Sequence, residues 1–323
     1  MQKNSALLPV LMLAVTGALT HQAAIAQEFP VKPISIVVPL PPGGGSDRAA
    51  RLLADHFTNV WKQPVVVENR PGGSGVVGAS AVARAQPDGH TLLFATPSIS
   101  TLQVMVKGST VDVLRDFAPV SLLCISPFIL AINAAVPAKT TQEFLTHVKA
   151  NPGKLNYGTF GGGQQLTFEF FKQVAGLDIV GINYKGEAPV MLALVANEVQ
   201  VTIASALTIM PQVKAGKLRA LAVTTRIRGV STPEIAPLAE SGVPNFDIGV
   251  WYGVLAPAKT PPEVLKKLTA EVAAFTKRPE IAKTFADVNY VVQGSSAEVY
   301  AQLIATEVRR WNEVAKSAGI KPE

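Results

Sequence analysis

Short β-branched runs alternate with amphipathic stretches along almost the whole chain, and this alternation limits the fold to a mainly parallel sheet with helices on its faces. Ile34 to Pro39 reads as a first buried strand, followed by the turn Pro41-Pro42-Gly43-Gly44-Gly45-Ser46-Asp47. Ala49, Leu52, Leu53, His56, Phe57 and Val60 then recur on one helical stripe, with Ser46 or Asp47 expected as the N-cap. Val65 to Glu68, Gly78 to Ala85 and Thr91 to Thr96 continue the strand, helix, strand pattern.

A second series follows the apolar run Val120 to Ile132. Thr140-Thr141-Gln142-Glu143 is a capping box, and Asn151-Pro152-Gly153 ends its helix. Leu155 to Tyr157 is a short strand that runs into Gly158-Thr159-Phe160-Gly161-Gly162-Gly163. Helices over Leu166 to Val174 and Pro189 to Ala196, and strands at Ile179 to Asn183, Val199 to Ala204 and Leu218 to Thr224, complete a second α/β set. The chain returns through Val250 to Ala256. Thr260 to Glu263 and Ser295 to Glu298 are read as caps of two more helices, the last with Tyr300, Leu303, Ile304, Val308, Trp311 and Ala315 on one side.

Composition narrows the class. The 323 residues are 48% hydrophobic and 16% charged, enough for about two domains with their own cores and unlike a disordered chain. The formal charge of +6 is spread over scattered cations, so no nucleic-acid partner is expected. Lys3, the apolar run Ala6 to Thr20 and Ala24-Ile25-Ala26 read as a secretory signal over residues 1–26, cut after Ala26. The exported product is then placed in the periplasm. Cys124, the only cysteine, lies in an apolar run and is read as a buried hydrophobe.

One theme occurs twice: a strand ends in a glycine-rich turn that feeds a helix. Glycines let backbone N–H groups approach a ligand, and helix N-termini offer unpaired donors and partial positive charge. Two such turns across a cleft make a site for a small anion. Gly73-Ser74-Gly75-Val76-Val77-Gly78 fits a dinucleotide fingerprint, but the next strand ends in Ala95-Thr96-Pro97-Ser98 without the required acid, so these glycines are read as helix-on-sheet packing and no cofactor is expected. No catalytic motif is present, and His56, His90 and His147 have no partner at metal-ligand spacing, so neither catalysis nor a metal is expected.

Taken together, Pro33-Ile34 through Pro41-Pro42-Gly43-Gly44, Val67 to Gly72, Gln86 to Leu93, Tyr184-Lys185-Gly186, Lys214 to Thr224 and the ending Ala318 to Pro322 resemble the Bug family, the extracytoplasmic solute receptors of tripartite tricarboxylate transporters. The resemblance implies an α/β, two-lobed periplasmic-binding-protein clamp of the Venus flytrap, type II-like kind, each lobe a sheet flanked by helices. Lobe 1 is expected to comprise residues 27–127 plus 250–323, and lobe 2 residues 128–249, with crossings near Phe128 to Ala131 and Gly249 to Trp251. It also implies a ligand carboxylate held through backbone N–H groups and waters of two loops, Pro42, Gly43, Gly44, Gly45, Ser46 and Asp47 in one lobe and Thr159, Phe160, Gly161, Gly162, Gly163, Gln164 and Gln165 in the other. Leu40, Thr96, Ser98, Tyr184, Lys185, Ser205 and Ala206 are expected to contribute nearby.

Two departures bear on the ligand. The second loop is shorter than the usual family stretch, where a Thr or Ser and then a His often precede the helix, which leaves the amides of Gln164 and Gln165 to face the cleft. Val201 to Ala206 carries no acid, the natural partner of a ligand ammonium, so an uncharged or purely acidic organic ligand is expected over an amino acid. The expected partners are this small organic acid and a membrane permease pair or sensor kinase, with the receptor a monomer. A periplasmic hydrolase on the same scaffold is the alternative, for which only Asp47 and the hydroxyls of Ser46, Thr159 and Ser205 are at hand. A purely sensory interaction module is the third reading.

Overall fold

The computed structural model describes residues 29–322, so the signal sequence expected over residues 1–26 and its expected cleavage after Ala26 lie outside the described residues. The first series comprises β1 (Ile34–Val38), α1 (Gly45–Trp61), β2 (Val65–Asn69), α2 (Val76–Ala83), β3 (Thr91–Ala95), α3 (Ser98–Met105) and α4 (Val113–Asp116). A 17-residue strand, β4 (Phe117–Asn133), leads into α5 (Thr141–Ala150), β5 (Asn156–Phe160), α6 (Gly161–Ala175), β6 (Val180–Tyr184), α7 (Glu187–Val195), β7 (Val201–Ser205), α8 (Ala206–Lys214) and β8 (Leu218–Val223). The return comprises β9 (Gly249–Pro257), α9 (Pro262–Thr276), α10 (Pro279–Ala286), β10 (Val291–Val292) and α11 (Ala297–Ala318).

Paired strands run in the order β2-β1-β3-β9-β4-β7-β5-β6, with β8 and β10 also on β4. The path folds as a two-lobed clamp because β4 serves two sheets. As far as Pro127 it pairs with β9, ending opposite Gly249, and from Phe128 it pairs with β7 and β8. Each lobe repeats one order: three parallel strands, then an antiparallel strand, then a fifth antiparallel to that one.

The central strands of each sheet are buried on both faces, as their apolar runs require, while the edge strands β2 and β6 are partly exposed. In β1, Ile34, Ile36 and Val38 meet Leu53 and Phe57 of α1 and Phe275 of α9, while Val37 faces Val82, Tyr300 and Ile304. In the second lobe Leu130 and Ile132 face Phe144, Phe171 and Phe246, and Ile129 and Ala131 face Leu194 and Ile209. The last turns of α11 join this second core through Trp311, Val314 and Ala315.

Several boundaries differ from expectation. Gly44 takes the N-cap position of α1, so Ser46 and Asp47 lie within its first turn, both buried. Pro261 takes the cap of α9, and Thr260 instead donates to the Pro257 carbonyl at 2.8 Å. Val60 is exposed, because the stripe turns outward at the end of α1. Two predicted caps form: Thr140 accepts from the Glu143 N–H, and Ser296 from that of Val299. Helices α3 and α4 are too short to give a clear stripe and α8 is interrupted by Pro211, whereas α10 buries Ile281 and Phe285 on one face within only eight residues.

Candidate functional site

The first glycine turn is fixed from below by charge. The Gly43 N–H donates to Asp47 Oδ2 at 3.0 Å, which Gly43 allows by taking φ +89°. Arg51 holds both carboxylate oxygens, at 3.1 and 2.9 Å, and also reaches Asn69, whose amide donates to the Leu40 carbonyl. The Arg51 guanidinium keeps the Asp47 carboxyl below its ordinary range, with the Gly43 N–H adding to the effect. Asp47 is thus committed to holding the turn. Behind the turn Tyr252 fills the space a side chain at Gly45 would need, its Oη 2.9 Å from where a Cβ would stand. The first N–H groups of a helix have no intrahelical acceptor, and no side chain at the N-cap of α1 takes that place.

In the second turn the glycines are already helical. Phe160 is the cap residue of α6, so Gly161, Gly162 and Gly163 form its first turn and present their N–H groups along the axis. Thr167 accepts no part of that role, since its hydroxyl donates to the Gly163 carbonyl at 2.9 Å. Met105, on α3 of the first lobe, lies directly against Gly162.

A cavity of about 550 Å³ separates the lobes, within the range of small-ligand sites. Leu40, Gly73, Ser74, Pro97, Ser98, Thr101, Met105 and Val106 border it from the first lobe, Phe128, Gly162, Gly163, Gln164, Thr167 and Ile248 from the second, and Glu307 and Trp311 from α11. Gly43 and Gly45 border a different cavity, of about 370 Å³, between α1, Tyr252, Tyr290 and Leu207 of α8.

Five expected site residues therefore share one cavity: Leu40, Ser98, Gly162, Gly163 and Gln164. Pro42 and Gly44 are exposed on the rim of the first turn. Thr96 is buried, its hydroxyl 3.0 Å from that of Ser98, and Thr159 is buried with no partner for its hydroxyl among the described residues. Phe160, Gly161, Gln165, Tyr184, Lys185, Ser205 and Ala206 border neither cavity.

Ser205 shows what the linear reading missed. Its N–H and hydroxyl both donate to Glu187 Oε1, at 3.1 and 2.9 Å, and the Thr208 hydroxyl donates to the same oxygen at 2.5 Å. Val201 to Ala206 is free of acids, yet the first turn of α7 sets a carboxylate on Ser205. Gly73 and Ser74 were also missed as cavity residues, because their motif was read as packing alone. Packing does explain Gly78, where a Cβ would stand 3.0 Å from the Arg70 carbonyl and from Pro39 Cα.

Other reactive groups are occupied structurally. Cys124 is fully buried, and burial pushes its thiol well up. His56 bonds Glu271 at 2.7 Å, and His90 accepts from the Val31 N–H at 3.2 Å. Among the described residues no group of three or more His, Cys, Asp or Glu is arranged to hold a metal, and no helix is long and apolar enough to cross a membrane.

Residues 49–320 match the tripartite tricarboxylate transporter family receptor, TctC. The chain belongs to this family. BugT of Bordetella pertussis is 31% identical over 319 residues, covering 96% of this chain and 98% of BugT. Among solved structures, R. palustris Rpa4515 with adipate is 32% identical with a TM-score of 0.71, covering 92% of this chain and all of that one. MatC (Rpa3494) from Rhodopseudomonas palustris with bound malate is 29% identical with a TM-score of 0.67, covering 88% of this chain and 99% of that one. Within this TctC and Bug family the two-lobed clamp is a receptor scaffold rather than an enzyme.

Proposed function

We propose that this TctC-family receptor works in the periplasm, closes its lobes on a small carboxylate-bearing metabolite, and presents it to a tripartite-type permease or a sensor. The observation that carries the reading is the cavity of about 550 Å³, bordered by Leu40 and Ser98 on one lobe and by the first turn of α6 on the other. The Gly161 to Gly163 N–H groups receive the carboxylate, and on closure Pro42 to Asp47 bring those of α1 to it. Thr96, Thr159, Phe160, Gln165, Tyr184, Lys185, Ser205 and Ala206 complete the surroundings. The adipate and malate held by the two structural relatives support an open-chain carboxylate.

The division into lobes is proposed at Pro127/Phe128 and Gly249/Val250, a reading supported by the change of partners along β4. Export by a leader cut after Ala26 fits the periplasmic role. The binding needs no arginine in the site. Hydrogen bonds to a charged group contribute about 1.5–3 kcal/mol each, and a helix terminus adds about 0.3–1 kcal/mol. Four or five such terms, less the cost of immobilising the ligand, reach the roughly 8 kcal/mol of micromolar binding.

Native mass spectrometry of the chain from Gln27 to Glu323, before and after refolding with mono-, di- and tricarboxylates, tests the reading. A bound acid released unchanged is the expected result. An acid converted to a new mass would instead support the hydrolase alternative.

A further inference from the structure

The apolar stripe of α11 carries one carboxylate. Glu307 is 1% exposed, its Oε1 accepts from Trp251 Nε1 at 3.0 Å, and its Oε2 makes no close hydrogen bond among the described residues, although the Ser100 hydroxyl, itself without another partner, approaches the carboxylate and partly offsets the rise in pKa that burial causes. One helical turn on, Trp311 is 3% exposed and its indole N–H is also unpartnered. On α6 the buried Gln164 Oε1 lacks a partner among the described residues too. All three residues border the interlobe cavity, and Glu307 also borders a second cavity, of about 340 Å³, with Asp247 and Arg310. Buried polar atoms are almost always paired in folded proteins, so the unpartnered Trp311 and Gln164 atoms, with the buried Glu307 carboxylate on the same cavity, point to a group that comes from outside the chain.

The three atoms define its chemistry. Trp311 offers a donor, Gln164 an acceptor and Glu307 an anionic acceptor. A hydroxyl, a primary amide or an un-ionised carboxyl donates and accepts at once and can pair with a donor and an acceptor of this set. A carboxylate can accept from Trp311 only and meets the negative charge of Glu307. Arg310 faces Glu307 from outside this cavity and offsets that charge only in part, its Nη1 donating to the Asp247 carbonyl at 3.1 Å and its guanidinium lying over the Phe170 ring. The other groups facing Glu307 are Tyr300 on its own helix, the Asp247 carboxylate before β9, Ser100 on α3 and Trp251 on β9. Burial pushes the Glu307 carboxyl up to about 7.

We propose that Glu307 and Trp311 form the selectivity end of the cavity and take a neutral hydrogen-bonding group of the ligand in preference to a second carboxylate. This rests on the receptor reading above and refines it: the ligand is anchored as an acid at the glycine turns and is neutral and polar at the α11 end.

The test compares adipate, adipic acid monoamide and hexanoate by calorimetry, and, for a shorter chain, succinate, its monoamide and butanoate. At about pH 8.5, above the Glu307 value, the monoamide of the better-fitting series binds at least roughly tenfold tighter than either companion. At about pH 6 the deficit of the dicarboxylate shrinks by at least about threefold, as Glu307 takes up its proton. In Glu307→Gln that ratio no longer changes with pH, and in Trp311→Phe the monoamide falls toward the monocarboxylate. The wild-type comparison needs no variant and stands if either fails to fold. Equal binding of monoamide and dicarboxylate at both pH values, or an undiminished pH effect in Glu307→Gln, overturns this inference alone. Binding of none of the six overturns the receptor reading together with it.

Discussion

Met105 of the first lobe closes onto Gly162 of the second, so tightly that a Cβ built on Gly162 would fall on the Met105 methyl group. Both residues border the interlobe cavity, and the glycine N–H belongs to the first turn of α6. Gly162→Ala should therefore push the flexible thioether aside and into the ligand's space. Melting should stay close to wild type, while affinity for a bound carboxylate falls by about tenfold or more. Adding Met105→Ala should restore much of that loss, which calorimetry on the single and double variants would read directly.

The first turn depends on Asp47. Removing its carboxylate in Asp47→Ala unpairs the Gly43 N–H and frees Arg51, at a cost of about 2 kcal/mol for hydrogen bonds to a charged group. Because the folded-state pKa of Asp47 is lowered, its contribution is present above the ordinary value of 3.8 and is lost as the pH falls through the folded value. Urea melts at neutral and acid pH should show wild type and Asp47→Ala converging at the acid end.

Glu307 has the opposite sign. Its folded pKa of about 7 stands above the ordinary 4.5, because burial disfavours the charged form. The stability linked to its proton is fully present below about 4.5 and is lost as the pH rises through about 7, an effect of roughly 3 kcal/mol. Glu307→Gln should match wild type at about pH 4 and exceed it at about pH 8.5, by up to roughly 3 kcal/mol in denaturant unfolding.

What was legible in the sequence was whatever repeats locally. β-branched runs placed the strands of both sheets, and Thr140 and Ser296 announced their helices, because side chain and backbone lie within one turn of each other. The two glycine turns stood out for the same reason. The helical start at Gly161 was hidden, since glycine is a poor helix former and only the following residues show periodicity. Glu187 on Ser205, Met105 on Gly162, and Gln164 and Trp311 on one cavity are meetings of distant segments, and no local pattern encodes them. Glu307 did leave a trace. It falls on the stripe of Tyr300, Ile304 and Trp311, and an acid at an apolar position marks a buried charge.

The central claim is that the backbone donors of the two glycine turns hold a carboxylate, and Gly44→Asp and Gly163→Asp test it most directly. Neither position has any atom within 4 Å of an added Cβ, and neither backbone lies in the left-handed region, so both variants should fold. Aspartate is moreover a favoured N-cap residue at position 44. Each puts a fixed carboxylate where the ligand's would lie. Thermal shifts with the acid identified by native mass spectrometry should be large for wild type, about 2.7 kcal/mol of stabilisation at a hundred times the dissociation constant, and absent in both variants. Undiminished shifts in both variants would contradict the two-turn site.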